Sequence, residues 1–267
     1  MAGVEVLVAN ANGNPIVYID RSSTPGIIIV SSNLDAFCHT FYDIDPAKRF
    51  LSNLLDWAER EAELLGRAVQ KAPRIGAIYS GQGFQYELLT SDEFGPLLDI
   101  IYVSRLPLVD LMQFEVLLVL RESNQEMLKL SGDKLVQFLN SGRIIISFGE
   151  VTVDWLPGFN WFRHRVDEKS LRFVRPEHPF LEGLELSDVQ WHCHGSFRAP
   201  SEADVLIKDG EGQDILFIDK RRFRGKLLAT TLDPDVHVGF GSGLTKKFLW
   251  NSLRWAIREA ETAGLVD

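Results

Sequence analysis

Residues 5–20 read EVLVANANGNPIVYID, and residues 204–219 read DVLIKDGEGQDILFID. These are one pattern written twice: an apolar run, a turn closed by Gly13 or Gly212, and a second apolar run ending in aspartate. Working outward, residues 4–32 align with 203–231 without a gap. After one inserted residue, Asn33, residues 34–66 align with 232–264. Of 62 aligned pairs 22 are identical, including Gly26/Gly225, Asp35/Asp233, His39/His237 and Trp57/Trp255. The period is too long for a solenoid, whose repeats run roughly 20–50 residues. The chain therefore reads as a duplication. Residues 1–72 are a partial repeat of the end of a domain plus a linker, and residues 73–267 are the complete domain.

Composition narrows the class. With 267 residues, 45% hydrophobic and 24% charged, the chain has enough apolar material for one large or two small cores. A net charge of −9 argues against a nucleic-acid phosphate surface, which needs clustered Lys and Arg. The run Lys220-Arg221-Arg222-Phe223-Arg224 is the exception, but its counterpart Arg21-Ser22-Ser23-Thr24-Pro25 is not basic, so it reads as a solvated hairpin turn. Cys38 and Cys193 form neither a spaced metal motif nor a disulfide framework. No apolar run approaches the roughly 18 residues of a membrane span, and the N-terminus lacks a secretory pattern. The expectation is a cytoplasmic protein without nucleic-acid or membrane partners.

In the first copy, residues 5–9, 15–19 and 27–31 read as strands. Asp45 and Pro46 then open a helix at its cap and first position. Phe50, Leu51, Leu54, Leu55, Ala58, Ala62 and Leu65 lay an apolar stripe along it, and Gly66 ends it. From residue 74 the rhythm changes. Residues 75–79, 98–103, 115–120 and 143–148 are short apolar strands, as strands covered on both faces are. Asn124 caps a helix that carries Met127, Leu128, Leu135, Phe138 and Leu139 inward and ends at Gly142. Such alternation predicts right-handed βαβ units and a parallel sheet. Beyond Trp155 the chain turns β-rich, with strands over 161–166, 171–174, 189–193, 204–208, 214–219 and 227–231 and a closing helix over 245–263.

Four features follow in order: the strand at 143–148, the segment Glu177-His178-Pro179-Phe180-Leu181-Glu182-Gly183-Leu184, the run Leu232-Asp233-Pro234-Asp235-Val236-His237, and the helix containing Phe248-Leu249-Trp250-Asn251. Together they resemble the class I glutamine amidotransferase-like superfamily, within it the trehalose-utilisation-like branch. The resemblance covers residues 74–267 as a full domain and 3–66 as a partial one. It implies an α/β, flavodoxin-like three-layer sandwich with a mostly parallel sheet and a β-rich C-terminal part. Any ligand site would lie at the carboxyl ends of the parallel strands. The family's chemistry needs a thiolate on a strand-to-helix elbow, a base in reach and a carboxylate to orient it. Here the elbow reads Ser147-Phe148-Gly149-Glu150-Val151, with no Cys, and no His-x-Glu pair follows. Glutaminase activity is not expected.

The remaining chemistry lies in a few residues. In Trp191-His192-Cys193-His194, strand alternation would put His192 and His194 on one face. Two imidazoles are a start for a metal site, with His237 or Asp233 as third ligand. The plainer reading is two polar side chains at a cleft edge, and no cofactor is expected. His237 recurs as His39, which suits either a ligand-facing imidazole or one holding the loop into the last helix. Asp20 and Asp219 read as turn caps. Strands 75–79, 115–120 and 143–148 should deliver Ser80, Arg121 and Glu150 to one crevice. There Arg121 either forks onto a small polar or anionic ligand or pairs with Glu122 or a helix carboxylate. The function expected first is a non-catalytic binding or assembly module, in carbohydrate-related metabolism if the branch resemblance holds. The first copy, too small to bury its own apolar face, would pack against the rest of the chain or a second copy. The alternatives are a hydrolase or sugar-modifying enzyme working through the histidines, and a structural piece of a longer tandem protein.

Overall fold

A computed structural model describes residues 4–20, 28–31, 45–64 and 73–265. The chain divides into two units, residues 1–70 and 71–267. In the first, β1 (Val4–Ala9), β2 (Pro15–Asp20) and β3 (Ile28–Ser31) form an antiparallel meander. Asn10 builds its first turn: Oδ1 accepts from the backbone N–H groups of Asn12 and Asn14, each at 3.0 Å. Gly13 takes φ 77° there, a conformation that only glycine adopts without strain. Helix α1 (Asp45–Leu64) follows. Of its expected stripe, Phe50, Leu54 and Ala58 are half-buried while Leu55 is exposed. The side chains of Leu51 and Ala62, and residues Arg21, Asn33, Asp35, Cys38, His39, Leu65 and Gly66, lie outside what is described.

The second unit places its described strands in one sheet. They are β4 (Ile75–Tyr79), β5 (Leu98–Tyr102), β6 (Val116–Val119), β7 (Ile144–Phe148), β8 (Trp161–Phe162), β9 (Arg172–Phe173), β10 (Ser196–Phe197), β11 (Asp204–Lys208), β12 (Asp214–Asp219) and β13 (Lys226–Thr230). The order runs β5-β4-β6-β7-β13-β12-β10-β8, with β11 pairing β12 and β9. Strands β5, β4, β6, β7 and β13 are mutually parallel, and the others are antiparallel. The sheet is thus mixed, where a mostly parallel one was expected. The short turns between β11, β12 and β13 can only reverse the chain, since a parallel neighbour needs a crossover of a dozen or more residues.

The helices are α2 (Gly83–Leu89), α3 (Gln125–Leu130), α4 (Gly132–Asn140), α5 (Pro234–Gly239) and α6 (Lys246–Thr262). Alternation along β4 feeds two apolar clusters, one on each face. Ala77 joins Phe180, Phe248 and Trp255 in one, and Ile78 joins Leu135, Phe138 and Leu139 in the other. Asn124 does cap α3, accepting from Met127 N–H at 3.1 Å. The helix expected to run on to Gly142 instead breaks at Ser131 into α3 and α4. The sequence reading did not anticipate α2 and α5. Residues 189–193 are not a strand. The N–H groups of Val189 and Gln190 bond back to Leu186 O at 3.1 and 2.9 Å, leaving only a single bridge between Cys193 and Leu232. Among the described residues no helix is long and apolar enough to cross a membrane.

Candidate functional site

Arg121 follows Leu120 at the carboxyl end of β6, and Glu150 follows Gly149 at the end of β7. Gly149 sits at φ 79°, and a Cβ there would lie 2.4 Å from Arg121 Cγ. The missing side chain is what lets the arginine cross the end of β7. Its Nε and Nη2 donate to Glu150 Oε2 and Oε1 at 2.8 and 3.1 Å, and Nη1 donates to Asp233 Oδ2 at 2.5 Å. Asp233 stands just past β13, where Pro234 starts α5 at a helix position that needs no N–H. Asp235 Oδ2 accepts from Arg121 N–H at 3.1 Å and from Gln85 Nε2 at 2.8 Å. Gln85 also donates to Arg121 O. Four chain segments thus meet at Arg121, which binds Glu150 and Asp233 through its guanidinium and Asp235 and Gln85 through its backbone.

Asp233 and Asp235 are fully buried. Burial pushes the Asp233 carboxyl up to about 6, against the opposing pull of Arg121 and His192. Burial and the neighbouring Asp233 push Asp235 up to about 7. Burial would also raise Glu150, but the Arg121 fork outweighs it and holds that carboxyl below its ordinary value. The guanidinium itself faces Glu150 and Asp233, with Glu122 at 3.5 Å, while Asp235 takes the Arg121 backbone N–H.

The histidines border this network. His194 Nδ1 lies 3.8 Å from Glu150 Oε1, and His237 Nε2 lies 3.4 Å from Asp233 Oδ1. The His192 ring centroid is 3.9 Å from that of His194 and 5.7 Å from that of His237. Burial lowers the pKa of His194 and His237, so both favour the neutral imidazole that can ligate a metal. One ligand atom each from His192, His194 and Asp233 lie within 4.8 Å of one another. His194 Nε2, His237 Nε2 and Asp233 Oδ1 are buried without a hydrogen-bond partner. Two clefts open here and share Arg163. One of about 530 Å³ is lined by His164, His192 and His194, and one of about 570 Å³ by Arg121, Gln125 and Glu150.

The structure thus brings together Arg121, Glu150, His192, His194 and His237. Of the two alternatives for Arg121, the internal pairing is the one seen: its fork is taken by Glu150, Nη1 by Asp233 at the start of α5, and Glu122 lies 3.5 Å away. Ser80 is engaged elsewhere, its Oγ accepting from Asn124 N–H at 2.6 Å. Cys193 is buried, and burial pushes its thiol up to about 12, which makes it inert at neutral pH. Sequence reasoning missed Gln85 and Asp235. The Asp-Pro-Asp spelling of 233–235 was a usable signal for Asp235, whereas nothing local marks Gln85.

No protein-family model and no curated protein matches the chain. Similar solved structures include a cytoplasmic protein from Salmonella typhimurium LT2, at 10% identity and TM-score 0.50, covering 70% of this chain and 98% of that one. A glutamine amidotransferase from Thermotoga maritima matches at 15% identity and TM-score 0.46, covering 73% and 94%. An exo-β-1,4-mannosidase from Opitutaceae bacterium strain TAV5 matches at 15% identity and TM-score 0.43. It covers 75% of this chain, which spans only 39% of the mannosidase. At such identities the similarity concerns the α/β fold alone.

Proposed function

We propose that residues 73–267 are an amidotransferase-like domain of flavodoxin-like descent, in which a polar binding cleft stands where the thiol chemistry would be. Residues 1–72 are then a partial duplicate serving assembly. The parallel strands follow the order second-first-third-fourth-last, and in such sheets ligands sit outside the carboxyl ends of the strands. One observation carries the reading: Arg121, Glu150, Asp233 and the three histidines meet at that edge from separate segments. Because the Arg121 fork is already closed on Glu150 and its third nitrogen on Asp233, the cleft suits a neutral, hydroxyl-rich ligand such as a sugar better than an anion. Carboxylates and imidazoles accept from hydroxyls, and Trp191 stands beside His237 at 5.4 Å between rings.

The test is a saturation-transfer NMR screen of mono- and disaccharides in chelator-containing buffer, with a glutaminase assay alongside. A sugar signal that disappears in His192→Ala, and no ammonia from glutamine, is the expected pair of results. Ammonia release abolished by Cys193→Ala would overturn the reading, as would a sugar signal indifferent to His192.

A further inference from the structure

We propose that His192, His194 and Asp233 hold one divalent transition-metal ion with a coordination position open to the cleft bounded by Arg163 and His164. This deepens the reading of the strand-end edge as a ligand site and rests on it.

The three donor atoms lie within 4.8 Å of one another. A tetrahedral ion about 2.0–2.2 Å from nitrogen and oxygen ligands needs them a little closer, within reach of small side-chain rotations at an exposed His192 and a half-buried His194. Two of the donor residues carry buried polar atoms that make no hydrogen bond. His194 Nε2 and Asp233 Oδ1 are buried and have no hydrogen-bond partner, although buried polar atoms in folded proteins are nearly always paired. Asp233 itself is completely buried, an expensive place for a carboxylate whose Oδ1 has only His237 Nε2, 3.4 Å away, beside it.

The surrounding residues are arranged as metal sites require. A ligating histidine turns its other ring nitrogen to a carboxylate or carbonyl, which fixes the tautomer and the ring. With Nε2 of His194 on the metal, its Nδ1 turns to Glu150 Oε1 at 3.8 Å, longer than a hydrogen bond, so metal binding would have to draw the two together. Glu150 is in turn locked by two bonds from Arg121. The same arginine takes Asp233 Oδ2 at 2.5 Å, so one oxygen is anchored and Oδ1 is left over. Arg121 thus positions both carboxylates and touches no metal. His237 Nε2, 3.4 Å from the same Oδ1, borders the site. Two imidazoles with one carboxylate suit zinc, iron or nickel, whereas calcium and magnesium prefer all-oxygen sets. Three protein ligands also leave room for a water or a ligand hydroxyl.

The full chain, stripped with a chelator and dialysed, is titrated with ZnCl₂ by calorimetry. One Zn²⁺ per chain is expected, with a raised Tm. His192→Ala, at an exposed position, keeps the apo Tm and weakens binding at least tenfold, and His194→Ala does the same. Glu150→Gln, acting through His194 and through the Arg121 fork that anchors Asp233, weakens it about 10–100-fold. His178→Ala, whose imidazole instead accepts from Phe180 N–H, leaves affinity unchanged. X-ray absorption of the zinc-loaded chain should show two imidazoles, a readout independent of any variant's folding. No stoichiometric uptake, or uptake indifferent to His192→Ala, overturns the metal site. The sugar screen is run with chelator present, so the two readings fail separately: a surviving sugar signal without zinc uptake sinks only the metal. Zinc bound one to one without any sugar signal sinks only the sugar.

Discussion

The meander β1–β3 of the first unit and the meander β11–β13 of the second have one register and different surroundings. Glu5↔Ile19, Val6↔Tyr18, Val8↔Val17 and Ala9↔Pro15 pair in the first. Asp204↔Ile218, Val205↔Phe217, Ile207↔Leu216 and Lys208↔Asp214 pair at the aligned positions of the second, with register shifts at the same two places. Pairs such as Ile19↔Ile29 and Ile218↔Leu228 correspond likewise. Yet Val6, Leu7 and Val8 are 48%, 46% and 40% exposed, while Leu206 and Ile207 are fully buried. In the second unit β13 pairs in parallel with β7, and the chain leaving it reaches the ends of β6 and β7, where Arg121 and Glu150 are. Turn residues and bulges carry the register locally. Burial and the site come only from what the meander is joined to.

The largest expected effect tests that joint. Arg121→Ala leaves Glu150 and Asp233 without their cation, and breaking a buried pair this way costs about 3–5 kcal/mol. Urea denaturation should show the loss. Arg121→Lys recovers only part of it, because an ammonium cannot fork onto Glu150 while reaching Asp233. A cost below about 1 kcal/mol, the scale of an exposed ion pair, would break the contrast, since the second meander would then not be tied to the parallel strands through this network.

A matched pair sharpens it. Ile207 and Val8 are aligned and share a register position. Ile207→Ala should cost about 2–5 kcal/mol for the buried methylenes and the cavity they leave. Val8→Ala, at an exposed position, should stay within about 0.5 kcal/mol. If the first meander serves assembly, Val8→Asp lowers the sedimenting mass without lowering Tm. Equal costs at the two positions would mean that the first meander is as deeply buried as the second in solution.

Periodicity and turn chemistry made the strands of both meanders, the four apolar strands from β4 to β7, α1 and α6 legible in the sequence, because each is specified by its own residues. Residues 189–193 misled because alternation shows which way side chains would point but not whether a neighbouring strand exists. His192 and His194 came together all the same, through a loop held by Cys193 and Leu232. Gln85 was invisible because its role depends on α2 lying beside α5, a tertiary fact. Arg121 was visible as the residue after a buried strand. Its internal partners depended on Gly149 leaving room, which a single glycine in a sequence does not announce.

The smallest effect should be the most alike in the two meanders. Asp209 Oδ1 accepts from the N–H groups of Glu211 and Gln213 at 3.0 and 2.8 Å, as Asn10 does at the aligned positions of the first turn. Gly212 and Gly13 take φ 85° and 77°. Each side chain satisfies two backbone donors inside its own turn, so its contribution should not depend on what covers the strands. Asn10→Ala and Asp209→Ala should each cost about 1 kcal/mol, the usual net worth of such bonds. Amide exchange should speed up at Asn12 and Asn14 in one variant and at Glu211 and Gln213 in the other. Asp209 is the sterner case, since its Oδ2 is also buried without a hydrogen-bond partner and lies 3.4 Å from His164 Nε2. Replacing it removes that unsatisfied oxygen and so offsets part of the loss. A cost at Asp209 several times that at Asn10 would show that burial reaches even the turn, and that the two meanders share a register for different reasons.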